Sequence, residues 1–120
     1  MSNDGIVWHL RIQEEHLGTV VVLRLDGRVY HATAAELGTA LARICTGARP
    51  AILDLTAVDY VNGEGLRAIE AATSRCRAVK AELIVCGLSP VVRTAFDLAG
   101  ATSQLTIEPS RDAALRRLAP

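Results

Sequence analysis

Asp59-Tyr60-Val61-Asn62-Gly63-Glu64-Gly65-Leu66 is the stretch of this chain whose residue types and spacing best suit recognition chemistry. Asn62 can cap a helix that starts there. Glu64 then falls in the first turn, where unsatisfied N–H groups and the macrodipole favour a negative charge by ~0.3–1 kcal/mol. The flanking glycines, Gly63 and Gly65, permit a tight entry into that helix. The same stretch is a poor phosphate cradle. Gly63-x-Gly65 lacks the third glycine and the lysine of the nucleotide motifs, and the Glu64 carboxylate repels an anion placed beside it.

Catalytic constellations are weak elsewhere. His9, His16 and His31 are scattered and none has metal-ligand spacing. They read as surface or strand residues, and no metal site and no cofactor is expected. Ser89, in Gly87-Leu88-Ser89-Pro90, does not resemble a nucleophile elbow, because proline follows the serine and the second glycine is absent. Helix capping explains it better. Asp54 and Asp59 flank the end of an apolar run without an obvious base, metal partner or oxyanion donor, which marks them as structural. The three cysteines, Cys45, Cys76 and Cys86, form no CxxC pair. They suggest neither a disulfide framework nor a zinc knuckle, and they read as small core hydrophobes in a reducing cytoplasm.

The elements that must position the Tyr60–Leu66 stretch follow from periodicity. Ile6, Trp8, Leu10 and Ile12 alternate as a half-buried strand. His16-Leu17-Gly18 reads as a turn and Thr19–Leu25 as a second strand, ended by Asp26-Gly27; the two strands can pair as an antiparallel hairpin. Thr33 and Glu36 have capping-box spacing, and Leu37, Leu41 and Ile44 give the stripe of a first helix that stops near Gly47. Ala51–Leu55 is a buried strand. Leu66, Ile69, Thr73, Cys76 and Val79 mark a second helix, expected to begin within about two residues of Glu64, and Glu82–Cys86 is a further buried strand. Ser89, Pro90 and Gly100 punctuate a third helix with Val92, Ala95, Phe96 and Ala99 as its stripe. Leu105–Ile107 is a short last strand. Ser110 caps a final helix, with Asp112 early, Arg116 and Arg117 late, and Leu115 and Leu118 docking it. The order β-β-α-β-α-β-α-β-α indicates an α/β fold with a mostly parallel sheet, right-handed crossovers and an antiparallel N-terminal strand. In such sheets ligands and partners meet the loops at the carboxyl ends of strands.

Composition narrows the function classes. At 120 residues the chain is expected to form one domain, residues 1–120 with a core of about 6–118. Lys plus Arg and Asp plus Glu both number 13, so the formal net charge is zero. A nucleic-acid-binding domain needs a basic surplus, and four aromatic residues offer no stacking platform. No apolar run approaches the ~18 residues of a membrane span, and no signal peptide is visible at the N-terminus. The mean hydropathy of +0.25 suggests some apolar surface that meets a partner.

Ala51-Ile52-Leu53-Asp54-Leu55-Thr56-Ala57-Val58-Asp59-Tyr60-Val61-Asn62-Gly63-Glu64-Gly65-Leu66 resembles the signature of STAS domains, the family of bacterial anti-sigma factor antagonists. That signature is an apolar strand ending in Asp-Leu, a Val-Asp-Tyr/Phe-Ile turn, and Asp-Ser-Ser-Gly-Leu opening a helix. Val22–Arg28 is similar to the family's second strand and glycine turn, and Leu83–Arg93 to its fourth strand and third helix. The resemblance implies a non-enzymatic protein-binding switch, in which a serine or threonine before the motif glycine is phosphorylated by an anti-sigma factor kinase. A phosphate adds ~1.5–2 negative charges and can disrupt an interface.

The chain departs from the pattern at that position. Aligned on Gly65, the phospho-acceptor position holds Glu64, the preceding serine is Gly63, and the aspartate is Asn62. Tyr30 stands where many members carry an acid. Glu64 either imitates the phosphorylated state or only starts a helix in a module that does not switch, and the second reading is favoured. The partner surface implied is the loop Tyr60, Asn62, Gly63, Gly65 and Leu66 together with Arg67, Glu70, Ala71 and Ser74, spaced i, i+3, i+4, i+7 on the second helix. The partner implied is an anti-sigma factor or related histidine-kinase-like ATPase, or another STAS protein, in the cytoplasm. The alternative is a cytoplasmic STAS subunit of a lipid-transport ABC assembly, whose partner is the ATPase subunit.

Overall fold

The computed structural model describes residues 10–47 and 49–119. Its elements run β1 (Leu10–Leu17), β2 (Val20–Val29), α1 (His31–Ile44), a short 3-10 turn (Cys45–Gly47), β3 (Ala51–Val61), α2 (Gly63–Ala78), β4 (Leu83–Cys86), α3 (Pro90–Leu98), β5 (Thr106–Glu108) and α4 (Arg111–Leu118). The strands form one sheet in the order β1-β2-β3-β4-β5. β1 and β2 pair antiparallel, and the other pairs are parallel. This is the α/β order expected from the sequence, with β3 at the centre.

β2, β3 and β4 are each followed by a helix that crosses to the next strand, and successive crossovers in one direction place these three helices on one face. Strand alternation then divides the core in two. Leu23, Leu25, Leu53, Leu55 and Val85 face α1, α2 and α3, where Leu37, Leu41, Ile69 and Phe96 are fully buried. Val22, Ile52, Ile84 and Cys86 face the other way and are covered by Ala114, Leu115 and Leu118 of α4. Both faces of the central strands are therefore dry, which is why they read as continuous apolar runs.

Several boundaries differ from the sequence reading for identifiable reasons. Ile6, Trp8 and His9 lie outside the described residues. β1 continues through His16 to Leu17, and Gly18-Thr19 closes the hairpin, because Leu17 pairs directly with Val20. Asp26-Gly27 does not end β2. Gly27 pairs with Leu10 on one side and Val58 on the other, and the register against β3 shifts on either side of Asp26-Gly27, so the glycine marks an irregularity within the strand. β3 correspondingly runs six residues past Leu55, to Val61. Thr33 occupies the third position of α1, not the cap. Its hydroxyl accepts from the Tyr30 N–H at 3.1 Å and donates to the Arg28 carbonyl at 2.8 Å.

Local signals fared better. Asn62, Ser89 and Ser110 each cap a helix through the side-chain oxygen. Val79 and Ala99, expected in buried stripes, instead follow the last residues of α2 and α3 and are exposed. The helices end in matching Schellman motifs. The Lys80 and Ala81 amides donate to the Arg77 and Cys76 carbonyls, and the Gly100 and Ala101 amides to the Asp97 and Phe96 carbonyls. The left-handed position is Gly100 after α3 but Lys80, at φ 59°, after α2.

Candidate functional site

The parallel register sets the site. Val29 at the end of β2 lies beside Val61 at the end of β3, and the Asn62 amide donates to the Val29 carbonyl at 2.9 Å. The two strands therefore stop at one edge of the sheet. The helices that follow, α1 from His31 and α2 from Gly63, start side by side there.

The entry into α2 is tightly specified. The Asn62 side-chain oxygen accepts from the Gly65 amide at 2.9 Å, satisfying one of the orphan donors of the first turn. Gly65 is buried at the junction. A Cβ there would overlap the Val29 Cγ1 and would lie 3.1 Å from the Val61 Cγ1. The motif glycine is thus required by close approach of the helix to two strand ends. Leu66 is buried beneath it, whereas Gly63 and Glu64 are exposed.

Glu64 does not stand alone. Its Oε1 lies 2.8 Å from the Nδ1 of His31. The hydrogen bond to Glu64 and its negative charge raise the His31 imidazole above the ordinary 6.5. A cationic histidine in the first turn of α1 opposes that helix's dipole, and the Glu64 carboxylate offsets this. Nearby, Arg28 pairs with Asp59 at 3.2 Å, and Tyr60 is 46% exposed. Tyr60 carries the only side-chain hydroxyl between positions 60 and 66.

Arg67, Ala71 and Ser74 are exposed on α2 and Glu70 is half-buried, while Leu66, Ile69, Ala72, Thr73 and Cys76 face the core. The structure therefore brings Tyr60, Glu64, Arg67, Ala71 and Ser74 onto one accessible end and flank of α2. His31 is the residue of this edge that sequence reasoning missed as a partner. The signal was present but non-local: it begins the helix after the strand that neighbours β3.

The remaining polar candidates are structural. Asp54 and Asp59 do not meet. Asp54 is buried in the middle of β3, where its carboxylate accepts from the Thr56 hydroxyl at 2.6 Å, the Thr56 amide at 3.0 Å and the Arg111 guanidinium at 3.2 Å. Arg111 in turn holds Glu15 on β1. Burial pushes the Asp54 carboxyl up, but the Thr56 and Arg111 hydrogen bonds outweigh it and leave it below the ordinary 3.8. This network ties α4 to the sheet on the side away from α1 and α2. Ser89 caps α3, accepting from the Val92 amide at 3.2 Å. Among the described residues, no three His, Cys, Asp or Glu side chains are placed to hold a metal ion, and no helix is long and apolar enough to cross a membrane.

Comparison with known proteins agrees with this architecture. Residues 11–114 match the STAS domain family model. The chain is 32% identical over 106 residues to the protein named "Putative anti-sigma factor antagonist BtrV" of Bordetella bronchiseptica, covering 88% of this chain and 91% of that one. Its fold is similar to the crystal structure of an anti-sigma factor antagonist from Mycobacterium paratuberculosis, with a TM-score of 0.81, 23% identity, and coverage of 92% and 94% of the two chains. It is also similar to the Bacillus cell fate determinant SpoIIAA in its phosphorylated form, with a TM-score of 0.69, 18% identity, and coverage of 91% and 100%. A family match across most of the sequence, a relative at this level of identity and the five-stranded topology converge, and the chain belongs to the STAS domain family.

Proposed function

We propose that this chain is an anti-sigma factor antagonist-like regulator that acts by binding another protein, without catalysis and without a phosphorylation switch at the motif position. Its contact surface is the exposed part of the Tyr60–Leu66 segment, Tyr60, Gly63 and Glu64, with Arg67, Glu70, Ala71 and Ser74, while Gly65 and Leu66 are buried beneath it and hold its shape. Its partner is an anti-sigma factor or related histidine-kinase-like ATPase, or another STAS protein, in the cytoplasm. The relative named as an anti-sigma factor antagonist favours this reading over that of a subunit in a lipid-transport ABC assembly.

The observation that carries the reading is the His31–Glu64 contact at 2.8 Å. A phosphoserine presents ~1.5–2 negative charges and three acceptor oxygens. Glu64 presents one charge, and below the raised pKa of His31 that charge is shared with an imidazolium. A carboxylate so neutralised is a poor copy of a phosphate. It is better suited as a fixed polar contact that holds the edge of the interface in one state. No serine or threonine stands between positions 60 and 66 to be phosphorylated instead.

The test is affinity purification of the tagged protein from its own cells, beside the double variant Ala71→Glu and Ser74→Arg. The reading expects an anti-sigma factor, a related ATPase or a STAS protein with the natural chain and its loss with the variant. It also expects no phosphate on peptides spanning 60–66 after incubation with that ATPase. Equal recovery by both chains, or phosphate within 60–66, contradicts it.

A further inference from the structure

Two thiols far apart in sequence meet in the core between α1 and α2. Cys45 caps the C-terminal end of α1, and Cys76 lies near the end of α2. Their Sγ atoms are 2.8 Å apart. That is closer than the roughly 3.5–4.0 Å at which carbon atoms rest in van der Waals contact. It is about 0.8 Å longer than the ~2.05 Å of a disulfide bond. The Cys45 thiol also donates to the Ala72 carbonyl at 3.4 Å, which holds it against α2. The third thiol, Cys86, belongs to the core layer beneath α4, so the sheet separates it from this pair.

We propose that Cys45 and Cys76 form a redox modification site, a buried dithiol that hydrogen peroxide closes to an intramolecular disulfide stapling α1 to α2. Cys45 is the point of entry, since it is 5% exposed and Cys76 is 0% exposed. The Cys45 thiolate attacks one peroxide oxygen and the O–O bond breaks. The departing hydroxide takes up the proton the thiol released, leaving water and a Cys45 sulfenic acid. The Cys76 sulfur then attacks the Cys45 sulfur, the S–O bond breaks, and hydroxide leaves as a second water with the Cys76 proton. The two sulfurs lose two electrons in total, and the peroxide accepts them.

The geometry sets the rate and the consequence. Burial pushes the Cys76 thiol up to about 12, with the neighbouring Cys45 adding to the effect. Cys76 therefore stays a thiol at neutral pH, which slows its attack on the Cys45 sulfenic acid. Once closed, the staple bounds a loop of about 30 residues that contains β3, the Tyr60–Leu66 segment and most of α2. The candidate interface thus lies wholly inside the cross-linked loop.

The pairing pattern distinguishes a site built by the fold from random oxidation. In an unfolded chain, Cys76 and Cys86 are the nearest pair in sequence and have the lowest loop-closure cost. In the fold, only Cys45 and Cys76 meet. The experiment treats the full-length native protein with hydrogen peroxide over hours, at urea concentrations from zero to just below the unfolding midpoint. It then alkylates free thiols in denaturant and maps the peptides by mass spectrometry. The proposal expects a Cys45–Cys76 linked peptide, loss of two hydrogens in the intact monomer, and Cys86 alone alkylated. It also expects a rise in melting temperature of roughly 5–15 °C that dithiothreitol reverses. The variant Cys86→Ala should keep the link and Cys76→Ala should lose it. Three alkylated cysteines at every urea concentration, a Cys76–Cys86 link, or a link between chains overturns the proposal.

Discussion

His31 and Glu64, 33 positions apart, meet at 2.8 Å across the starts of two neighbouring helices. Neither helix needs the other's residue to begin. Their proximity follows from the parallel register of β2 and β3, which delivers both helix starts to one edge of the sheet.

The pair should be visible in a titration. Glu64 raises the His31 pKa above its ordinary 6.5. A raised folded pKa means the pair's contribution to stability is complete below 6.5 and fades as pH rises through the folded value. Following the His31 ring protons by NMR should give a midpoint above 6.5 in the natural protein. In Glu64→Gln the midpoint should move back toward 6.5. Identical midpoints in both proteins would show that the two side chains are not coupled.

Gly65 should not tolerate even one added methyl group. Alanine there would press its Cβ into the Val29 side chain and to 3.1 Å from Val61. Both neighbours are buried, β-branched and stiff, so neither can move aside cheaply. Gly65→Ala should lower unfolding free energy by ~1–3 kcal/mol, read from the midpoint of urea denaturation. Gly38 is the contrasting site, with open space where a Cβ would go. Gly38→Ala, inside α1, should be neutral or stabilising by up to ~1 kcal/mol.

Lys80 offers a change of opposite sign at the far end of α2. It holds the left-handed position of a Schellman motif at φ 59°, where a Cβ is unfavourable. Gly100 fills the equivalent place after α3. Lys80→Gly should therefore stabilise the protein by about 0.5–1 kcal/mol, a shift in melting temperature of a few degrees. A fall in stability would mean that the lysine side chain contributes more than the backbone strain costs.

What could be read from the sequence was what the chain determines locally. The caps at Asn62, Ser89 and Ser110, and the Pro90 and Gly100 punctuation of α3, depend on residues within one or two turns. All are present in the structure. The Ala51–Leu66 signature and the apolar strands were legible for the same reason. The strand limits were not. Whether β2 stops at Gly27 or passes through it depends on partners in β1 and β3, and a glycine in a bulge looks like a glycine in a turn. The His31–Glu64, Cys45–Cys76 and Asp54–Arg111 contacts depend on register and crossover direction, which no local pattern encodes.

The most direct test of the proposed interface is calorimetric titration of the co-purified partner with the natural protein, Glu64→Ser and Glu64→Asp. Glu64 lies exposed at the start of α2 on the surface assigned to binding. If the partner reads its carboxylate as a fixed contact, Glu64→Ser should weaken binding about tenfold or more, ~1.4 kcal/mol. Glu64→Asp should keep part of the affinity. Affinity unchanged in both variants would remove Glu64 from the interface. Tighter binding by Glu64→Ser would instead reveal the carboxylate as a stand-in for phosphate and contradict the account.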